Sequence, residues 1–244
     1  MTAIKTENLR KEYKDVVAVE GLNLEIEEGK LFSLLGVNGA GKTTTIKMLS
    51  TLTKQTSGEA YIFGHSVRSE EEKVKELVDI SMQETAIARN LTVEENIEFY
   101  ARLSGQTEEE VEESKKSAYK SFSLDKVAKK QASKLSGGWQ RKLSIALAMV
   151  TRPKVLFLDE PTLGLDVIAR RELWKTITEL KKQMTIVLTT HYMEEAEALS
   201  DEIGVMKDGK LLFVGTKEEL FAISGASTVE DAFIKIVSGE EENA

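Results

Sequence analysis

Short apolar runs alternate along this chain with segments of helical periodicity. Runs of five or six mainly apolar residues, typical of buried strands, occupy 31–35, 77–82, 154–158 and 185–190. Further strands are predicted where apolar and polar residues alternate or a turn intervenes: at 22–26, at 58–67 and in a hairpin over 203–214. Helices are predicted over 43–52, 167–183 and 229–237. The pattern indicates an α/β fold with a mainly parallel sheet.

Helix signals replace the strand pattern in the middle of the chain. Thr92 precedes Glu95 by three residues, and Thr107 precedes Glu110 by the same spacing, which is the capping-box arrangement of a helix start. Strand signals resume after this stretch. We therefore expect a helical subdomain at about 86–150, inserted in the α/β core.

The length of 244 residues suits one large domain, or one domain with an inserted lobe. We expect one domain over 1–220, followed by a short C-terminal helix and tail at 221–244. The N-terminus lacks the apolar core of a signal peptide, and no apolar run is long enough for a membrane span. These features predict a cytoplasmic protein.

The composition excludes several kinds of site. The chain has no cysteine, which excludes disulfides, cysteine-ligated zinc and a cysteine nucleophile. Two histidines, His65 and His191, are too few for a His-rich metal site, and we interpret His65 as a turn residue. The formal net charge of -8 argues against broad nucleic-acid binding, so no direct nucleic-acid partner is expected.

Charge is unevenly distributed within the predicted helical subdomain. Residues 94–113 carry eight glutamates and one basic residue, whereas 115–142 carry nine lysines and arginines and one acid. Two interpretations remain open, namely two solvated helix faces or a basic surface that attracts a polyanion. On the second interpretation, Lys129, Lys130 and Lys134 would speed association with a bound phosphate ligand.

A phosphate-binding loop is predicted between the first buried strand and the helix that follows it. Residues 36–43 fit the pattern G-x-x-x-x-G-K-[ST] in that structural context. Glycines allow backbone N–H groups to point at phosphate oxygens, and the helix N-terminus adds a positive dipole end. Lys42 suits the β- and γ-phosphates, and the Thr43 hydroxyl suits a Mg²⁺ ligand. The residues expected to contact nucleotide are Gly36, Asn38, Gly39, Ala40, Gly41, Lys42, Thr43 and Thr44.

Two adjacent acids follow the buried run at 154–158. An unpaired carboxylate at the end of a buried strand is costly, and a nucleotide-bound Mg²⁺ ion would offset that cost. Asp159 is therefore predicted to hold Mg²⁺, and Glu160 to polarise the attacking water.

A second anion-binding sequence precedes another predicted helix, and we call residues 135–140 the signature loop. Its sequence is Leu-Ser-Gly-Gly-Trp-Gln, which combines a hydroxyl with free N–H groups at a helix start. With the motifs above, in this order, the chain resembles the nucleotide-binding subunit of ABC transporters, whose signature is LSGGQ. Trp139 departs from that pattern at the fifth position.

This resemblance implies a P-loop ATPase core with an N-terminal antiparallel β-subdomain. It also implies a head-to-tail homodimer, or a heterodimer with a similar ATPase, that holds two MgATP molecules. Each ATP would lie on the phosphate-binding loop of one subunit and against Ser136, Gly137 and Gly138 of the other. Asp166, in the sequence Leu-Gly-Leu-Asp, resembles a D-loop residue that crosses the same interface.

Three further residues gain roles from the resemblance. Gln83 would contact Mg²⁺ and water, so the metal ligands would be Thr43, Gln83 and Asp159. His191 resembles the switch histidine at the γ-phosphate, which with Lys42, Glu160 and Gln83 completes the expected catalytic set. Tyr13 resembles the aromatic residue that stacks on adenine.

The expected function is ATP hydrolysis that drives a separate transmembrane permease from the cytoplasmic face of the membrane. The Thr-Thr-Thr sequence after Lys42 and the closing C-terminal pattern resemble exporters of drugs, antibiotics or polysaccharides. The alternatives are an ABC-type ATPase that acts on nucleic acid or ribosomes, another P-loop enzyme such as a kinase or GTPase, and a non-hydrolysing subunit.

Overall fold

The computed structural model describes residues 1–239, in which two sheets and an inserted helical lobe are formed. The strands are β1 (Thr2–Tyr13), β2 (Val16–Glu27), β3 (Leu31–Leu35), β4 (Ser57–Ile62), β5 (His65–Ser66), β6 (Val78–Ser81), β7 (Val155–Asp159), β8 (Thr185–Thr190), β9 (Glu202–Lys207) and β10 (Lys210–Gly215). The helices are α1 (Lys42–Leu49), α2 (Glu71–Lys75), α3 (Val93–Leu103), α4 (Glu108–Phe122), α5 (Gly137–Ala148), α6 (Val167–Leu180), α7 (Met193–Leu199), α8 (Lys217–Ser224) and α9 (Val229–Ser238).

The smaller sheet is antiparallel and has the strand order β2-β1-β4-β5. The sequence pattern predicted only residues 22–26 of β2 and did not predict β1. In β1, register shifts between Thr6 and Leu9 and between Leu9 and Lys11 interrupt the two-residue repeat, so its apolar positions do not alternate. The expected strand over 58–67 is divided by a turn at Phe63, whose φ of 48° is left-handed.

The larger sheet has the order β10-β9-β3-β8-β7-β6, and its strands are parallel except β10. Buried apolar side chains cover β3, β7 and β8 on both faces, which is why these strands read as continuous apolar runs. Leu35 pairs with Thr190, and Asp159 pairs with Thr189. The carboxyl ends of three strands therefore lie side by side, and the predicted α/β class with a mainly parallel sheet is confirmed.

The helical lobe contains α3, α4 and α5, which share one hydrophobic core with the face of the large sheet next to them. Capping boxes at Thr92 and Thr107 begin α3 and α4, as the spacing predicted. The charge pattern of the lobe differs from the expectation. Lys115 is buried among three carboxylates that it contacts at 2.8–3.1 Å, and these belong to Glu94, Glu98 and Glu112.

Two helices, α8 and α9, follow the last strand, where a single C-terminal helix was expected. Helix α8 begins at Lys217 with a capping box at Thr216 and crosses residue 220, at which the expected domain ended. Both helices share an apolar cluster with β9 and α7. The expected tail at 240–244 lies outside the described residues. Within 1–239, no helix has both the length and the apolar character required to cross a membrane.

Candidate nucleotide site

The phosphate-binding loop connects β3 to α1 and closely approaches neighbouring backbone. A Cβ atom at Gly36 would lie 2.4 Å from the Met206 carbonyl oxygen, and one at Gly41 would lie 2.3 Å from that of Ala18. Gly41 also has a φ of 104°, in which a side chain is strained. Only glycine therefore fits these two positions. An open cleft of about 320 Å³ lies against the loop, and its lining comprises residues 38–44 with Ala18, Gln83 and Glu160.

Lys42 is the first residue of α1, and its ammonium group is buried at the base of the cleft. Nζ donates to the carbonyl oxygens of Gly36 at 2.7 Å and Val37 at 3.1 Å, and lies 3.4 Å from Glu160 Oε1. Burial lowers the pKa of Lys42, and the nearby Glu160 carboxylate partly opposes that shift. The loop therefore holds a positive charge where phosphate oxygens would enter.

Asp159 ends β7 and is bound by two threonine hydroxyls. Thr43 Oγ1 donates to both carboxylate oxygens, at 2.9 and 3.1 Å, and Thr189 Oγ1 donates to Oδ1 at 2.6 Å. A hydroxyl and a carboxylate beside a phosphate-binding loop are oxygen donors of the kind that Mg²⁺ binds together with substrate phosphates. The described residues contain no group of three or more His, Cys, Asp or Glu suited to a metal. The donor set thus fits an ion that arrives with a nucleotide.

Glu160 and His191 come together at the strand ends. Glu160 has a left-handed φ of 48°, and its backbone N–H is held by the carbonyl and hydroxyl oxygens of Thr189, both at 3.1 Å. Its Oε2 lies 2.5 Å from His191 Nδ1, and its side chain is almost fully buried. A strained backbone fixed by surrounding hydrogen bonds is typical of functional positions. The carboxylate therefore has one orientation between the Lys42 ammonium and the His191 ring.

Arg141 is a residue of this region that the sequence analysis missed. From α5 it donates to the carbonyl oxygens of Met82 at 2.6 Å and of Gln83 and Glu160, both at 3.0 Å. Burial lowers the pKa of Arg141, and Asp159, Glu195 and Glu160 oppose that shift. One guanidinium thus joins the helical lobe to the Gln83 segment and to the strand end at Glu160. Gln83 itself is exposed and lines the cleft.

The signature loop lies outside the lining of the cleft. Ser136 is the N-cap residue of α5, yet its hydroxyl makes no capping hydrogen bond, and Ser136 and Gly137 are exposed. A Cβ atom at Gly138 would lie 3.1 Å from Ala169 Cβ, so this glycine allows close contact with α6. The Lys142 ammonium lies 4.8 Å from the Trp139 ring centroid and 2.7 Å from Glu172 Oε2. Trp139 therefore points back into its own subunit.

Three other sequence-predicted residues lie around these loops. The carboxylate of Asp166 caps α6 by accepting hydrogen bonds from the N–H groups of Ile168 and Ala169, both at 2.9 Å. Tyr13 is exposed at the end of β1, outside the cleft lining, with Lys11 Nζ 4.7 Å from its ring centroid. His65, interpreted as a turn residue, lies in the short strand β5 and contacts Glu70 at 3.1 Å.

Comparison with known proteins decides the family of this phosphate-binding fold. The family model described as ABC transporter matches residues 19–163, which contain the phosphate-binding loop, the signature loop and the paired acids. The chain belongs to the ABC transporter family. The Bacillus subtilis (strain 168) linearmycin resistance ATP-binding protein LnrL is 35% identical over 227 residues, covering 93% of this chain and 73% of LnrL.

Further comparisons place the ABC ATPase domain among its relatives. Human phospholipid-transporting ATPase ABCA3 is 41% identical over 220 residues, which are 88% of this chain but 13% of ABCA3. The chain spans about a quarter of two other A-family members, from Dictyostelium discoideum and Arabidopsis thaliana. The ATP-binding cassette MJ0796, solved as a post-hydrolysis dimer with ADP and Pi, superposes with a TM-score of 0.78 at 26% identity, covering 87% of this chain and 98% of MJ0796.

These comparisons confirm the expected ABC-type ATPase and its nucleotide-binding fold. The ABC domain of this chain binds nucleotide, and its antiparallel and mainly parallel sheets are those of the family's ATP-binding subunits. Of the residues expected at the strand ends, Gln83 lines the cleft, and Gly36, Asp159 and His191 follow or end the neighbouring strands β3, β7 and β8.

Proposed function

We propose that this chain is the ATP-hydrolysing subunit of an ABC exporter. On this proposal it dimerises around two MgATP molecules and drives a separate transmembrane permease at the cytoplasmic face of the membrane. The ABC family and its ATPase activity are the basis of the proposal, and the dimer, the permease and export extend it.

One observation carries the dimer. The exposed Ser136 hydroxyl makes no capping hydrogen bond, and the signature loop contributes nothing to the lining of the chain's own cleft. A second copy, related by a two-fold axis, would place the signature loop of each subunit over the cleft of the other. The superposition on the MJ0796 dimer supports this arrangement. Asp166 caps α6 within its own subunit, and Trp139 lies beside Lys142, which binds Glu172 of α6.

The proposed hydrolysis uses groups that already lie within reach of one another. Glu160 accepts a proton from the attacking water, and His191, 2.5 Å away, holds the carboxylate and faces the γ-phosphate. Lys42 exchanges its carbonyl partners for β- and γ-phosphate oxygens and stabilises their charge. Thr43, Asp159 and Gln83 would hold Mg²⁺, which when bound neutralises phosphate charge. Tyr13 would stack on the adenine base.

The separate permease is supported by the relative LnrL, whose name describes an ATP-binding protein and of which this chain covers 73%. The cytoplasmic face is proposed because ATP is supplied there. The name of LnrL includes resistance to linearmycin, which favours export over import.

Glu160→Gln tests the mechanism and the dimer together. The amide has nearly the shape of the carboxylate but is a poor base, so we expect ATP turnover to fall at least about 100-fold. ATP affinity should be retained, so that an ATP-bound dimer accumulates and elutes early in size-exclusion chromatography. Glu179→Gln, on the exposed face of α6, is the matched control. Wild-type turnover in Glu160→Gln would remove Glu160 from the mechanism, and a monomer with bound ATP would contradict the dimer.

A further inference from the structure

A hydrogen bond and a ring contact hold the imidazole ring of His191. Nδ1 lies 2.5 Å from Glu160 Oε2, and the side chain is 28% exposed, so part of the ring borders open space. A bond at Nδ1 fixes the position of that nitrogen but allows the ring plane to turn about it. The direction of Nε2, which the proposed hydrolysis requires at the γ-phosphate, therefore depends on the ring contact.

The ring contact comes from the next residue in the chain. The ring centroids of His191 and Tyr192 are 4.2 Å apart, with an angle of 39° between the ring planes. Successive side chains of an extended strand point to opposite sides, so such a contact requires the chain to turn. The chain turns here because β8 ends at Thr190 and Tyr192 is the N-cap residue of α7.

Hydrogen bonds fix the backbone of Tyr192 at this turn. Its N–H donates to Thr190 Oγ1 at 2.9 Å, and its carbonyl oxygen accepts a hydrogen bond from the Glu195 N–H at 3.1 Å. The first bond ties Tyr192 to the end of β8, and the second ties it to the first turn of α7. The Tyr192 ring is thus held beside the ring of His191 by the backbone on both sides.

A guanidinium group from α6 lies over the Tyr192 ring. Arg170 Cζ is 4.9 Å from the ring centroid, and Nη1 lies 3.8 Å from the exposed carboxylate of Glu194. Arg170 Nε is buried, and within residues 1–239 it has no hydrogen-bond partner. A cation is attracted to the face of an aromatic ring, whereas a buried N–H without an acceptor is costly. The orientation of Arg170 therefore favours the ring over a hydrogen bond at Nε.

We propose that Tyr192 is a positioning residue for His191 and that Arg170 holds the Tyr192 ring in place. The inference rests on the proposed function, because it names the support of a histidine that this function assigns to the γ-phosphate. Glu160 fixes Nδ1 and the Tyr192 ring fixes the plane of the imidazole, so Nε2 has one direction before nucleotide binds. Neither Tyr192 nor Arg170 lines the nucleotide cleft, so we expect them to affect kcat and not ATP binding.

Steady-state ATP hydrolysis by the purified chain tests this support, with kcat and KM for MgATP determined separately. Tyr192→Leu removes the ring and keeps an apolar side chain, so kcat should fall about tenfold while KM stays within about twofold of wild type. Tyr192→Phe retains the ring and should have the wild-type kcat. Tyr61→Leu, on β4, is the matched control and should also resemble wild type.

Arg170→Leu removes the cation from the Tyr192 ring and leaves the ring itself. It should lower kcat about threefold, less than the loss of the ring, with KM unchanged. Arg171→Leu, which changes the exposed neighbour on α6, is the matched control. A larger fall in Arg170→Leu than in Tyr192→Leu would overturn the assigned role of Arg170.

A background that lacks the histidine separates positioning from a general effect on the fold. His191→Ala should lower kcat at least about 100-fold, a rate that single-turnover phosphate release can still measure. In this background, Tyr192→Leu and Arg170→Leu should cause no further fall, because the ring that they orient is absent. If Tyr192→Leu does not fold, as judged by urea denaturation, Arg170→Leu in both backgrounds decides the same question.

The outcomes distinguish the support from the proposed function. Falls in kcat of equal size with and without His191 would overturn the positioning role, and so would a Tyr192→Phe variant as slow as Tyr192→Leu. A wild-type kcat in Tyr192→Leu, together with an impaired His191→Ala, would overturn the role of Tyr192 and leave the proposed function standing. Wild-type turnover in His191→Ala would contradict the role that the proposed function gives to His191, and the support with it.

Discussion

The nucleotide cleft and the signature loop both place a helix N-terminus where phosphate could bind, but their surroundings differ. In the cleft, Lys42, Asp159 and Glu160 are buried and bound to several partners each. In the signature loop, Ser136 is exposed and its hydroxyl makes no capping hydrogen bond. One half of the proposed composite site is thus preorganised within a single chain, while the other half presents free donors to a second copy.

Lys42→Ala would break the preorganised half, and its effect should be the largest. The change removes the charge from the base of the cleft and leaves the Glu160 carboxylate with His191 as its neighbour. We expect ATP turnover to be lost, by at least about 100-fold, because positioned charge is a major source of catalysis in phosphoryl transfer. The measurement is phosphate release under saturating MgATP. The control is Lys47→Ala, later in the same helix, and retained turnover in Lys42→Ala would refute the assigned role of the loop.

Ser136→Arg would break the free half by placing a bulky side chain at the N-terminus of α5. We expect the variant to bind ATP normally but to lose turnover on its own. Mixing it with Lys42→Ala gives mixed dimers. In these, the intact cleft of the Ser136→Arg chain faces the intact signature loop of the Lys42→Ala chain, so one of the two sites is complete. Activity should return to about a quarter of the wild-type rate, because half of the dimers are mixed and each has one working site. Normal hydrolysis by Ser136→Arg alone would place catalysis within one chain.

The exposed lysines that precede the signature loop give a smaller, salt-dependent effect. Lys115, Arg141 and Lys142 are buried and paired, so the basic surface is narrower than the sequence indicated. Changing Lys129, Lys130 and Lys134 to glutamine should slow ATP-dependent dimerisation several-fold at low salt and little at high salt. Stopped-flow light scattering measures the rate. The matched control changes three exposed lysines elsewhere to glutamine: Lys5, Lys73 and Lys182. Equal rates at every salt concentration would contradict this role.

The smallest expected effect concerns Glu195, a buried carboxylate in α7. Glu195 is fully buried in α7, where Oε1 accepts a hydrogen bond from Trp174 Nε1 at 3.0 Å and Oε2 lacks a well-aligned partner. Burial raises the pKa of Glu195, and the neighbouring hydroxyls of Thr190 and Thr162 only partly oppose that shift. The folded state therefore disfavours the ionised form, and wild-type stability falls as the pH rises above the ordinary glutamate value of 4.5.

Glu195→Gln removes this ionisation and leaves a neutral side chain of similar shape. The free energy of unfolding of the variant, relative to that of wild type, should increase by about 1 kcal/mol as the pH rises from acidic to neutral. Urea denaturation at several pH values measures the difference. A difference between variant and wild type that stays the same at every pH would show that folding does not raise the pKa of Glu195.

The sequence predicts the parts of the site that depend on local backbone geometry. Gly36 and Gly41 are required by close contacts of a single loop, and Asp159 and Glu160 directly follow one buried strand. Local spacing records such requirements, so motif and strand patterns are sufficient to find them. The three capping boxes at Thr92, Thr107 and Thr216 have the same local origin, although only the first two were predicted.

Contacts between distant parts of the chain could not be predicted in this way. Arg141 binds a carbonyl oxygen 59 residues away, and Thr189 binds Asp159 across two paired strands. Neither contact leaves a periodic signal, because each depends on how strands and helices are arranged in space. Strand β1 was missed for a different reason, since its register shifts interrupt the alternation by which a half-buried strand is recognised.

The hydrogen bonds of Arg141 have a mechanical consequence. A single planar group is fastened to the carbonyl oxygens of Met82, Gln83 and Glu160, and its own backbone lies in α5. Helix α5 begins at the signature loop. A rotation of α5 that keeps these bonds must also move the Gln83 segment and Glu160, the proposed catalytic residue. Arg141 would then couple the two regions, so that the helical lobe cannot rotate without moving Gln83 and Glu160.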